Sequence, residues 1–171
     1  MHLVLLGGAP GVGKTTAAEE ILELVARSRG GPLVQWADID ALWRHQPWRV
    51  DEQTVAMVRA NIRAVLSNAR DAGVDHMVVT WVFQDAGMHD LLRSLAPADV
   101  ATTTVQLLTS PETWATRIAG RRPGTEDDPF YLERYRQAQS VAADHLVMTD
   151  GLPPAEVAER VAAAAGLLAL P

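Results

Sequence analysis

Short apolar runs alternate along this chain with stretches of helical period. Leu3-Val4-Leu5-Leu6 is an unbroken apolar run. Over 16–26, Ala17, Ile21, Leu24 and Val25 recur among Glu19, Glu20 and Glu23 at the spacing of one helix face, and Gly30-Gly31-Pro32 stops that helix. Residues 33–37 are short and apolar and run into Asp38-Ile39-Asp40, which predicts a buried second strand. Beyond Pro47, Asp51 can cap a helix over 52–72 whose apolar face is Val55, Val58, Ile62, Val65, Leu66 and Ala69, with Gly73 closing it. Residues 74–83 hold Met77-Val78-Val79 and Trp81-Val82-Phe83 with little alternation, as expected of a strand covered on both faces.

A short helix is predicted over 87–95 and a Thr- and Val-rich fourth strand over 100–108. Ser110-Pro111-Glu112 then supplies an N-cap, a proline at the first helical position and an early acid, so a helix starts at 111 and runs to about 120. Helical period returns over 130–141, a brief fifth strand fits 146–149, and a closing helix over 154–168 aligns Val157, Val161 and Leu168. Between these, 121–129 has no periodicity and contains both breaker residues, which marks a mobile flap. Strand and helix alternate throughout, so the expected class is α/β, a parallel sheet wrapped by helices on both faces. No repeat or linker divides the 171 residues, and one domain over 1–171 is expected.

Composition narrows the function classes. Apolar residues are 48% of the chain and charged residues 21%, values of an ordinary globular protein. The absence of cysteine excludes a disulfide framework, a thiolate metal site and a cysteine nucleophile. A net charge of −6 without a basic tract argues against a nucleic-acid partner. No apolar run reaches membrane-spanning length, and Met1-His2-Leu3 enters the first strand with no basic region or cleavage site, so no membrane partner and a cytoplasmic location are expected.

The most informative chemistry is Gly8-Ala9-Pro10-Gly11-Val12-Gly13-Lys14-Thr15, which fits G-x-x-x-x-G-K-[ST] between a strand and a helix. Glycines let backbone N–H groups converge, the helix amino end adds partial positive charge, Lys14 adds a full charge, and Thr15 offers a hydroxyl to Mg²⁺. The motif predicts a nucleoside triphosphate site. Lys14 is the chain's only lysine. Asp38 and Asp40 fall at the end of strand two, the edge where open parallel sheets bind ligands, and two residues apart they point the same way in an extended stretch. They can hold a metal through water and accept a proton from a hydroxyl, or serve as a turn or helix cap.

In this order and spacing the residues resemble the small P-loop kinases, among them shikimate kinase, gluconate kinase, chloramphenicol phosphotransferase and the nucleoside monophosphate kinases. The resemblance rests on 8–16, Asp38-Ile39-Asp40, the turn Leu107-Leu108-Thr109-Ser110-Pro111-Glu112, Arg117 with Arg121-Arg122, and Thr149-Asp150-Gly151-Leu152. It implies a three-layer P-loop NTPase fold with five strands in the order 2-3-1-4-5 and a short lid at about 121–129. It also implies ATP as phosphoryl donor, Mg²⁺, and a small-molecule acceptor. Gly8, Ala9, Pro10, Gly11, Val12, Gly13, Lys14, Thr15 and Thr16 would cradle the phosphates. Arg117 would meet the adenine, Arg121 or Arg122 would close over the phosphoryl groups, and Asp150-Gly151-Leu152 would border the purine. Asp40-Ala41-Leu42 looks like the chloramphenicol phosphotransferase arrangement, making Asp40 the candidate base and Asp38 the metal-side acid beside Thr15. The family's acid at the end of strand three is missing here, so the metal leans on Thr15, the phosphates, water and Asp38, or on Asp85.

Trp36, Trp43, Trp48, Trp81 and Phe83 lie near the ends of strands two and three and can form an apolar acceptor pocket or ordinary core. Arg44, Arg49, Arg59 and Arg63 would instead matter to an anionic acceptor. Three functions follow from the resemblance and the motifs: a kinase acting on a hydroxyl, a nucleoside monophosphate kinase, or a nucleotide-binding regulator without transferase activity.

Overall fold

The computed structural model describes residues 1–121 and 123–167. Its centre is a sheet of five parallel strands in the order β2-β3-β1-β4-β5, where β1 is His2–Gly8, β2 Val34–Asp38, β3 His76–Thr80, β4 Ala101–Leu108 and β5 His145–Met148. The helices are α1 (Lys14–Arg27), α2 (Ile39–Trp43), α3 (Glu52–Asp71), α4 (Ala86–Leu95), α5 (Pro111–Arg121), α6 (Pro129–Ser140) and α7 (Pro154–Ala164). The three-layer α/β architecture and strand order expected from the sequence are those observed.

The period-2 geometry of β1 explains the layers. Val4 and Leu6 face a core built with Ala17 and Ile21 of α1 and Val157 and Val161 of α7, while Leu3 and Leu5 face Val58, Ile62 and Leu66 of α3 and Leu92 of α4. Both faces of β1 are therefore sealed, which is why its sequence shows no polar alternation. A third, smaller cluster of Ala9, Trp114, Ile118, Tyr135 and Ala138 joins α5 and α6 to the turn after β1.

Local signals place the ends. Asp51 caps α3 through Thr54 N at 2.8 Å, and Thr54 Oγ1 accepts from Asp51 N at 3.0 Å, so a reciprocal capping box opens the helix. Ser110 Oγ accepts from Thr113 N at 3.3 Å ahead of Pro111, as its sequence predicts. Asp85 is the cap of α4, accepting from Met88 N at 3.0 Å. Two elements depart from expectation: β3 ends at Thr80, which leaves Trp81-Val82-Phe83 beyond the strand, and Ile39–Trp43 is a separate short helix, because Asp38 Oδ1 accepts from the amides of Asp40 and Ala41. The predicted alignment of Leu168 on α7 falls outside the described residues. Among the described residues no helix is long and apolar enough to cross a membrane.

Candidate active site

The turn between β1 and α1 carries the phosphate motif at the carboxyl edge of the central strand. Gly8 has φ +143°, and a Cβ there would lie 2.7 Å from Val12 Cγ1 and 2.9 Å from the Leu107 carbonyl, so only glycine fits. Gly13 takes φ 109° at the N-cap of α1 and offers no side-chain cap. The first intrahelical bond is Ala17 N to Gly13 O at 2.8 Å, which leaves the amides of Lys14, Thr15 and Thr16 without a helical partner. That uncapped, glycine-bounded helix start is what a phosphate requires. Lys14 Nζ donates to the carbonyls of Gly8 and Ala9 at 2.8 and 3.0 Å, folding back over the loop. Burial pulls its pKa down to about 8, against the opposing pull of Asp40 and Asp38, and the nearby Arg121 lowers it further.

A cavity of about 440 Å³ opens from this cradle. It is lined by loop residues from Gly11 to Ala17 and, opposite them, by Arg117, Arg121, Thr149, Leu152 and Val157. The structure thus brings Arg117, Arg121 and the 149–152 turn to the loop, as the sequence pattern expects, while Arg122 lies outside the described residues. Arg117 also has a bracing role the sequence does not reveal. Its guanidinium donates to Val12 O at 3.2 Å, Thr149 Oγ1 at 2.8 Å and Thr149 O at 3.0 Å, tying the phosphate loop to the end of β5.

Asp150 is bonded to the residue that opens α5. It accepts from Ser110 Oγ at 2.6 Å and from Ser110 N at 3.0 Å, and these bonds, the hydroxyl's foremost, push its pKa down to about 2. A depressed carboxylate stabilises the fold above its unfolded pKa near 4, and that contribution disappears as pH falls toward 2. Asp150→Ala is expected to lose on the order of 1 kcal/mol at pH 7. In urea unfolding, the gap between variant and wild type should close as pH drops from 4 to 2.

At the neighbouring edge of β2 and β3 stands the aspartate pair. Register pairs Asp38 with Thr80, and Thr80 Oγ1 donates to Asp38 Oδ2 at 2.8 Å while accepting from Trp36 Nε1 at 2.9 Å. Asp38 is therefore a helix cap, the plainer of its two expected roles, and at the same time the carboxylate nearest the end of a β3 that has no acid of its own. Asp40 is held differently: Trp81 Nε1 donates to its Oδ1 at 3.1 Å. Asp40 keeps solvent contact on its outer side. Loss of solvent on the inner side and the charge of Asp38 nevertheless raise its pKa, outweighing Lys14, the Trp81 bond and Arg134. Arg134 on α6, whose guanidinium carbon lies 3.6 Å from the Phe130 ring centroid, is a cation of this site that sequence reasoning missed. No local signal could have revealed it, since only tertiary packing brings α6 toward Asp40.

The aromatic expectation divides. Phe83 is wholly buried core, and Trp36 spends its N–H on Thr80. Trp43, Trp48 and Trp81 instead form a continuous row, with centroid distances of 5.6 Å from Trp43 to Trp48 and 6.5 Å from Trp43 to Trp81. Of the four arginines considered for an anionic acceptor, Arg49 pairs with Asp51 at 3.1 Å, and Arg63 lies beside Ser94 and Pro97 at the opposite, amino edge of the sheet.

The architecture matches solved structures along its whole length. A sugar kinase from Janibacter sp. HTCC2649 superposes with TM-score 0.68 at 17% identity, covering 98% of this chain and 95% of its own. The tunicamycin resistance protein of Deinococcus radiodurans gives 0.66 at 22% identity, with 99% and 98% covered, and a gluconokinase from Sinorhizobium meliloti 1021 gives 0.64 at 20%, with 96% and 91% covered. The fold is that of the small P-loop kinases. No known protein-family profile and no curated protein matches the chain in sequence. At these identities the likeness to the P-loop kinases concerns the fold, and the chemistry must be argued from the site.

Proposed function

We propose that the protein is an ATP-dependent, small-molecule kinase that transfers the γ-phosphoryl group to a hydroxyl of its acceptor. The observation that carries this reading is the convergence on Lys14: its ammonium lies in the phosphate cradle and within electrostatic reach of Asp40, Asp38 and Arg121 together. A triphosphate tail seated on the amides of 14–16 would thus end beside a carboxylate of raised pKa. The kinase folds to which the chain is similar support the same class of reaction.

The roles follow from position. The amides of 11–16 and Lys14 hold the phosphates, and Arg117, Thr149 and Leu152 border the purine end of the cavity. Arg121 and, in our reading, Arg122 begin a lid over 121–129 whose guanidinium charge offsets charge on the transferring group. Hard oxygen donors suit magnesium, and Thr15 with Asp38 are the residues that would hold it alongside the phosphates. Bound there, it would offset negative charge on the phosphoryl oxygens. Among the described residues no group of three or more His, Cys, Asp or Glu side chains gathers at one point, so the protein share of that site would be small. Asp85 is occupied as the cap of α4 and is the weaker candidate.

Asp40 takes the acceptor proton as the acceptor oxygen bonds to the γ-phosphorus and the bond to the bridging oxygen of ADP breaks. Of the four arginines that a phosphate acceptor would call on, Arg63 stands at the far edge of the sheet and Arg49 is engaged with Asp51, which favours a hydroxyl over a nucleoside monophosphate. ADP release measured over a panel of hydroxyl compounds and nucleoside monophosphates tests the reading, with Lys14→Ala as blank. Acceptor-dependent ADP from alcohols is the expected result. Turnover of nucleotides alone, or slow hydrolysis that no acceptor accelerates, would replace the reading with one of the other two functions.

A further inference from the structure

Beside Asp40, outside the residues that line the cavity of the phosphate loop, the surface has a composition of its own. Trp81, Trp43 and Trp48 run outward from Asp40 as one aromatic surface, starting at the 3.1 Å bond from Trp81 Nε1 to the carboxylate. The inner part is anchored: Trp43 and Trp81 pack on the core beside Leu42 and Ile39. The outer part is open, with Trp48 58% exposed. Its ring is nonetheless held, because His45 stacks on it at 5.0 Å and 23°. His45 is itself fixed through both ring nitrogens: in the tautomer that donates from Nδ1 to Trp43 O at 2.7 Å, Nε2 accepts from Arg49 N at 3.4 Å.

A large apolar ring kept rigid and uncovered at the ligand edge of a parallel sheet is a costly surface feature unless something covers it.

We propose that the acceptor is a hydroxyl compound carrying an apolar ring face, which lies on the Trp43–Trp48–Trp81 surface with its hydroxyl presented to Asp40. This deepens the kinase reading and rests on it for the transfer step. Open-chain polyols and sugar acids offer no flat apolar face and lose the stacking contribution. Two tryptophans then divide the work. Trp48 contributes ring binding alone, whereas Trp81 is a positioning residue that aims one oxygen of Asp40 and so leaves the other for the incoming proton.

The test pairs binding with turnover. Tryptophan fluorescence of the full chain is titrated with cyclic and aromatic alcohols and with open-chain polyols, and ADP release is followed with the same compounds. Ring compounds should bind and be phosphorylated, with KM about tenfold higher in Trp48→Ala at nearly unchanged kcat. Trp81→Phe keeps a ring but loses the N–H, and kcat should fall about tenfold with KM little changed. An unaltered thermal melt of Trp48→Ala shows that the change is local. Equal turnover of open-chain and ring compounds, indifferent to Trp48→Ala, would overturn this inference and leave the kinase reading standing. Trp48-dependent binding of ring compounds without ADP release would uphold the ring site and remove the kinase reading. No fluorescence response to any ring compound up to millimolar concentration would overturn the inference outright.

Discussion

Lys14→Ala should reduce phosphoryl transfer by about a thousandfold or more, the largest effect of any single substitution in this chain. Removing one preorganised group aimed at developing charge typically costs about 10²- to 10³-fold, and here the group carries a full charge in a partly dried cradle. The fold should not suffer. A lysine whose pKa is depressed to about 8 by burial lowers stability as pH falls from its unfolded value toward 8, so its removal leaves thermal unfolding at neutral pH unchanged or slightly improved. The same value fixes a pH signature in the wild type. Below pH 8 the ammonium is charged before any triphosphate arrives; above it, binding must first recover a proton. Affinity for ATP, measured by calorimetry, is therefore expected to decline as pH rises through about 8. A flat profile, or a Lys14→Ala protein that binds and turns over ATP normally, would remove the ammonium from the mechanism.

Asp40→Asn is the second large effect, expected to slow turnover about 10²- to 10⁴-fold, the usual range of general-base assistance. Because the phosphoryl transition state is loose and positioning dominates, the lower part of that range is expected. Nucleotide binding should survive, which separates this variant from Lys14→Ala in the same calorimetric assay. Burial and the charge of Asp38 raise the pKa of Asp40, so the acid limb of kcat/KM should fall at a pH above that of an ordinary carboxylate and vanish in the asparagine variant. A carboxylate with a raised folded pKa weakens the fold above that pKa, so Asp40→Asn should melt no lower than wild type at neutral pH. Undiminished turnover would leave Asp40 a bystander.

How much of this was legible in the sequence depends on the range of the interaction involved. The five strands, the Asp51 cap and the Ser110-Pro111 helix start are local patterns, and they stand within a residue or two of where the sequence placed them, except that the third strand ends at Thr80, three residues before the expected Phe83. The glycine-rich turn and the bare start of α1 were legible for the same reason, since strand, glycines, Lys14 and helix follow one another along the chain. The aspartate pair was only half legible. That Asp38 caps α2 depends on two amides close by, but its bond to Thr80 arises from the register of β2 on β3, which no short window of sequence contains. Trp81 reaching Asp40 and Arg117 reaching Thr149 are likewise contacts across 41 and 32 residues. The aromatic positions were visible as a set, yet only the packing separates the buried Phe83 from the open Trp48.

The bond from Trp114 Nε1 to the carbonyl of Pro10, at 2.9 Å, has a mechanical corollary. It clips the turn after β1 to the very helix that bears Arg117 and Arg121, and Ile118 fills the space beneath Gly11. Arg117 consequently sits on a helix pinned to the glycine-rich turn at two carbonyls, so that side of the cavity is a preset surface and not one assembled on binding.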